Sequence, residues 1–221
     1  MDDVQRAAWA EDGVFIVRGA LSPASVDALR SALLARAADA SDYIQPGTRS
    51  VLAWAVPEDV RDTKWGGRRP GSGLLSLSPA MMELVAHPAV LPCLTEAFGT
   101  GVPFRLDHDY AFLLRAIAAG LRAAAAQRQR GGLHGGPGSA TITCVWELED
   151  VTAHDGGFAA LKGSHRRDFK WPFDPAAESG WRSPPYPAET AHIEAAAGDV
   201  LVFTEDLTVR RPDDHGSCFP S

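Results

Sequence analysis

The chain has 221 residues, 45% of them hydrophobic and 22% charged, which suits one globular domain with a substantial core; β sandwiches and barrels commonly reach this size. A formal net charge of −7, with basic residues gathered only in the short runs 122–130 and 166–167, argues against nucleic acid as a partner. No run approaches membrane-span length, the opening MDDVQRAAWAEDG lacks the apolar segment of a signal peptide, and Cys93, Cys144 and Cys218 have neither metal spacing nor an obvious pairing, so a cytoplasmic, reducing setting without a membrane partner is expected.

In chain order, residues 13–18 (GVFIVR) read as a short apolar strand. Ser22 is placed as an N-cap with Pro23 at the first helical position, and Val26, Leu29, Leu33 and Leu34 recur at helical spacing, which predicts a packing helix over 23–38. Residues 41–78 are rich in proline and glycine and read as a long irregular segment, pinned by Trp54 and Trp65, of the kind that forms lids. Helices are expected at 79–86 and 88–98, the latter closed by Gly99.

From Val102 the pattern turns to strands. Residues 104–114 alternate and then run apolar, and on a strict alternation His108 faces away from Asp107 and Asp109 and reads as structural. Residues 116–130 are rich in alanine, arginine and glutamine, so local propensity predicts a helix inserted there. Residues 139–148, 158–161, 192–195 and 200–204 read as further strands, and the order of helices first and strands later predicts a β barrel or jelly roll with helices on one sheet. His87 and His192 carry no signal, and His154-Asp155 before two glycines reads as a turn.

The most informative stretch is Gly131-Gly132-Leu133-His134-Gly135-Gly136-Pro137-Gly138. One histidine stands among glycines at the mouth of an apolar strand, where another group can approach the backbone closely. It is placed for a metal, and equally for capping a strand.

Four motifs occur in order: DGVFIVRGALSPASVDALRSAL from Asp12, LHGGP from Leu133, DGGFAALKGSHR over 155–166, and AGDVLVFTEDLT over 197–208. Together they resemble the phytanoyl-CoA dioxygenase family across nearly the whole chain. The resemblance implies a double-stranded β-helix (a jelly roll, cupin-like) that holds Fe(II), uses 2-oxoglutarate and O₂, and hydroxylates a small organic substrate. It also implies one domain over 1–221, with helices at its N-terminal side.

Such enzymes hold iron by two histidines and a carboxylate on one face. His134 matches the first ligand. The carboxylate position is Gly136, an HxG pattern that resembles halogenating relatives, in which a small residue leaves room for chloride; branches of ordinary members also carry LHGG, and a site that has lost its metal reads the same way. The second histidine is expected directly after Thr208, where this chain has Val209. The tail RRPDDHGSCFPS lacks strand periodicity, so 209–221 is expected to be atypical, as a frameshift or truncation would leave it, and the family's arginine for the 2-oxoglutarate carboxylate has no counterpart there. His215 is the remaining histidine that could return to a metal, and Glu205 or Asp206 could stand in for the missing carboxylate. Gly163-Ser164-His165 is a family feature that reads as a turn into the core sheet. A non-catalytic jelly roll that binds a ligand is the alternative these departures favour.

Overall fold

The computed structural model describes residues 1–39, 78–116, 120–131, 140–152, 158–171 and 190–210. The elements are α1 (Asp3–Asp12), β1 (Val14–Val17), α2 (Pro23–Asp39), α3 (Pro79–Glu83) with a 3-10 turn at Leu84–Ala86, α4 (Leu91–Phe98), β2 (Phe104–Ala116), β3 (Gly120–Gly131), β4 (Ala140–Glu147), β5 (Ala159–Leu161), β6 (Thr190–His192), β7 (Val200–Thr204) and β8 (Val209–Arg210). They form two antiparallel sheets, one of five strands in the order β1-β7-β4-β3-β2 and one of three in the order β6-β5-β8.

Strand alternation divides the core in two. On β4, Ile142, Cys144 and Trp146 belong to the cluster formed with Leu29 and Leu33 of α2, Met81 of α3 and Leu94 of α4. Val145 belongs to the other cluster, with Val14, Ala160, Leu201, Phe203 and Leu207. One face of the large sheet is therefore covered by helices and the other by the small sheet, which accounts for the near-continuous apolar runs of β4 and β7. Cys93 and Cys144 are free thiols in the helix-side core, and burial pushes the Cys144 thiol well up, so it stays protonated and inert.

The helix starts follow the sequence reading. Ser22 Oγ accepts from Ser25 N at 3.1 Å and Ser78 Oγ from Met81 N at 3.4 Å, both with proline at the next position. Helix α1 was not expected: its Asp2 accepts from Gln5 N at 2.7 Å while Gln5 Oε1 accepts from Asp2 N at 3.0 Å, a reciprocal capping box. Its register is tied to α4 through Glu96, which binds both the Met1 amino group and Arg6.

One expectation is corrected. The helix predicted over 116–130 is strand β3, paired along its length with β2 and over 124–131 with β4. This pairing overrides the helix propensity of the alanine-rich segment. The register of β2 shifts between Leu106 and His108, a bulge at Asp107, and from His108 onward the pairing is regular, so His108 and Asp109 alternate as expected. Smaller differences concern bounds: α4 begins at Leu91, and the strand expected at 192–195 runs Thr190–His192, followed by a single bridge between Val151 and Ala195. The segment 41–77, with Trp54 and Trp65, and the turn at His154 lie outside the described residues.

Candidate functional site

One end of the five-stranded sheet gathers the motif residues. The pair Gly131↔Ala140 closes the β3–β4 ladder, so the connection carrying His134 and Gly136 leaves the sheet there. Those two residues and His215 lie outside the described residues. At the same end β1 begins beside the close of β7: Val14 registers with Phe203, and Thr204 N donates to Gly13 O at 3.1 Å.

Glu205 follows immediately. Its N–H donates to Thr141 O at 2.9 Å, and its Oε1 accepts from the hydroxyl of Thr143. Thr143 is fully buried and alternates with helix-side Ile142 and Cys144, so it belongs to the face toward the small sheet. Glu205 is itself exposed, and its carboxylate thus reaches back from the sheet end to a hydroxyl of the inner face. Asp206, also exposed, begins the turn to β8.

The Lys162–His165 turn ties this end to α1. Gly163, at φ +80°, donates its N–H to Asp12 O at 2.9 Å, and a Cβ there would stand 3.0 Å from Glu11 O. Lys162 Nζ pairs with Asp12 Oδ2 at 2.8 Å. The His165 ring covers Gly13 so closely that a Cβ on Gly13 would lie 2.5 Å from Nδ1, and that buried nitrogen has no hydrogen-bond partner among the described residues. Gly13 also sits at φ +77° as the left-handed cap of α1, so two separate constraints demand glycine. Ser164 is buried and its Oγ accepts from Thr208 N at 2.8 Å, while Leu161 N donates to Thr208 O at 2.9 Å. Both backbone groups of Thr208 are held, and β8 is delivered in register, Val209 opposite Ala160.

Position 209 is the place where the resemblance puts the second histidine. Val209 packs against the inner cluster of Val14, Val145, Ala160, Leu201, Phe203 and Leu207 and offers no donor atom. Among the described residues no three histidine, cysteine or carboxylate side chains gather closely enough to hold a metal ion. At the positions where the resemblance expects an iron triad the sequence has His134, Gly136 and Val209, and of these side chains only the histidine carries an atom that could bind iron.

The AGD motif serves the fold at the opposite end of the sheet. Asp199 accepts from Gly19 N at 2.8 Å, Ala196 N at 2.9 Å and Arg18 Nη1 at 2.6 Å. Burial alone would raise its carboxyl, but these donors outweigh it and hold the group below the ordinary aspartate range.

A two-sheet antiparallel fold with helices on one face, and motif residues at one sheet end, defines the class. The sequence model of the phytanoyl-CoA dioxygenase family matches residues 9–208, and the chain belongs to that family. Its members use Fe(II) and 2-oxoglutarate. No curated protein sequence matches the chain. Among solved structures it is similar to HygX from Streptomyces hygroscopicus with nickel and 2-oxoglutarate bound, at 18% identity and a TM-score of 0.62, covering 98% of this chain and 83% of that one. It is similar too to the epimerase SnoN in complex with Fe3+, alpha ketoglutarate and nogalamycin RO, at 17% identity and a TM-score of 0.54, covering 97% and 78%. At these identities the likeness is one of fold. No helix among the described residues is long and apolar enough to cross a membrane.

Sequence reasoning had found all four motifs but not the roles of Thr143 and Ser164. Both act through a hydroxyl on a residue distant in sequence, Glu205 and Thr208 respectively, and only the strand register brings them together.

Proposed function

We propose that this chain is a single double-stranded β-helix domain of the Fe(II)/2-oxoglutarate-dependent oxygenase type, acting on a small organic substrate, with an iron site that is incomplete as the sequence stands. The observation that carries this is the meeting of the DG, KGSH and FTEDLT motifs at the sheet end from which the LHGGP connection departs. His134 is the one ligand assigned to iron, with His215 the histidine available from the tail. Iron would supply the site for oxygen activation with 2-oxoglutarate. This chain's contribution is to hold position 209 through Thr208 and to set Glu205 at the mouth. HygX was crystallised with hygromycin B and SnoN with nogalamycin RO, which supports an elaborate small molecule as the substrate class.

A second reading, a jelly roll that binds a ligand without turning it over, is favoured by Val209 and Gly136. Halogenation would tolerate Gly136 but not Val209, so chloride alone should not restore activity.

The test is titration of the purified chain with Fe(II), followed by an assay of succinate release with and without chloride. Weak iron binding and little succinate are expected. The double variant Gly136→Asp, Val209→His should bind Fe(II) at least about tenfold more tightly, since each added ligand displaces exchangeable water. Tight binding and brisk succinate release by the unaltered chain would overturn the incomplete site. An unchanged affinity in the double variant would remove positions 136 and 209 from the metal site and favour the binding-domain reading.

A further inference from the structure

His87 stands where the helix layer meets β4. A proline disfavours the helical region for the residue before it, and His87, before Pro88, is extended at φ −61° and ψ 130°, so the 3-10 turn stops there. Its carbonyl accepts from Val90 N at 3.0 Å and from Leu91 N at 2.9 Å, the bonds from which α4 starts. Its ring accepts as well: Nδ1 takes the N–H of Ala89 at 3.3 Å, a bond to the second residue on, like that of an asparagine in an Asx turn. The ring is half-buried and lies against the indole of Trp146, with centroids 5.1 Å apart and planes at 73°. Trp146 is fully buried on the helix side of β4, and its Nε1 has no hydrogen-bond partner among the described residues.

These contacts favour the neutral imidazole. A protonated Nδ1 has no lone pair, so the Ala89 N–H would lose its acceptor and face a donor. Burial disfavours the charged ring and holds His87 below the ordinary histidine range. The edge-to-face contact and the unpaired Nε1 fit an indole N–H directed at the face of a neutral imidazole, a weak bond that an imidazolium cannot accept. Against them stands Glu83 at the end of α3, whose exposed carboxylate draws the other way. Of the other ionisable groups on the neighbouring elements, Glu96 of α4 is taken up by the Met1 amino group and Arg6, and Arg30 of α2 pairs with Glu149. Asp27 of α2 is exposed, and Cys144, on the same face of β4 as Trp146, stays a neutral thiol.

We propose that His87 is an acid-released latch: the neutral ring fastens the start of α4 to Trp146 of β4, and protonation frees that end of the helix layer. The latch uses none of the residues assigned to the metal and stands whether or not the chain turns over a substrate. Its contribution to stability is fully present above the unfolded histidine value of about 6.5 and is lost as the pH falls through the lower, folded value.

The experiment is nuclear magnetic resonance of the full chain, titrated from about pH 8 to about pH 5, the range in which a histidine changes charge. The His87 ring signal should titrate below about 6.5, and the indole N–H signal of Trp146 should move with the same midpoint. Both signals are assigned in the wild-type chain, so this measurement stands even if a variant fails to fold. Amide exchange is the second measurement, with His87→Asn as the reference, since asparagine can keep the bond to Ala89 N and does not titrate. Between the two ends of the pH range, protection of Val90, Leu91 and Leu94 in the wild type, relative to the variant at the same pH, should fall about fivefold, as loss of one hydrogen bond implies. A His87 midpoint at or above about 6.5 would overturn the proposal, because it is what an imidazolium resting on the indole face gives. A Trp146 signal indifferent to the titration of His87, or a protection ratio that does not change with pH, would overturn it equally.

Discussion

The two ends of the five-stranded sheet are built on different terms. At the end where Val17 registers with Val200, the polar groups close on one another: Asp199 collects three donors, Gly198 N donates to Glu147 O at 2.8 Å, and Leu21 N donates to Gly198 O at 2.9 Å. At the end where Val14 registers with Phe203, a carboxylate reaches in from the surface to the hydroxyl of Thr143, and the buried His165 Nδ1 has no partner among the described residues. The bonds gathered on Asp199 and Gly198 at the first end serve stability, although Trp146 Nε1 is left without a partner there among the described residues; at the second end an exposed carboxylate stands where the motif residues meet. Substitutions at the closed end should therefore act on stability, and those at the open end on binding.

The largest loss is expected from Gly198→Ala. Gly198 lies at φ +95°, and a Cβ would stand 2.8 Å from Leu21 O, a backbone atom that has no room to yield. Left-handed strain and the forced displacement together cost about 4 kcal/mol. Thermal unfolding should show a fall of roughly 8–16 °C for a domain of this size. A shift of a degree or two would mean that the junction between β7 and the segment before α2 relaxes freely, and the contrast between the ends would lose its rigid half.

Asp199→Asn comes next, at about 2–3 kcal/mol, because it replaces an ionised acceptor of three bonds in a buried position. The folded-state carboxyl is depressed below its unfolded value. Its contribution is thus fully present above the ordinary aspartate value of about 3.9 and fades as the pH falls below that, toward the folded value. The difference in stability between wild type and Asp199→Asn should narrow over that acid range. A difference that stays constant from neutral pH into acid would show that the charge contributes nothing and that only shape matters.

How far the sequence discloses this molecule follows the same division. The closed end and the helix-side core were legible, because Ser22-Pro23, Ser78-Pro79 and the apolar runs of β4 and β7 are local signals that the tertiary structure reinforces. Strand β3 was not, since alanine and arginine favour a helix until two neighbouring strands pair with them. Helix α1 was not expected, although Asp2 and Gln5 at capping-box spacing announce it. At the open end the histidine and the missing ligands could be read as letters. The Ser164–Thr208 and Thr143–Glu205 bonds could not, as each joins residues more than forty positions apart.

The smallest effect is expected at Ser164, and it tests whether the open end is positioned or merely loose. Ser164→Ala removes the acceptor of the Thr208 N–H but leaves the Leu161 N to Thr208 O bond in place. One buried donor is left unsatisfied, which costs about 1 kcal/mol and lowers the melting midpoint by roughly 2–4 °C. That loss alone would not distinguish a positioning role from ordinary packing. Amide exchange does: Thr208 and Val209 should exchange faster in the variant, while the amide of Val202, in the middle of β7, should follow only the global change in stability. Ser164→Thr keeps the hydroxyl and should restore protection at Thr208 even if its extra methyl costs some stability. In the Gly136→Asp, Val209→His background, Ser164→Ala should also weaken metal binding by more than its effect on stability explains, because position 209 would no longer be held in register with Ala160. If protection at Thr208 is unchanged, the hydroxyl is a bystander, and β8 owes its place to the packing of Val209 against the inner cluster alone.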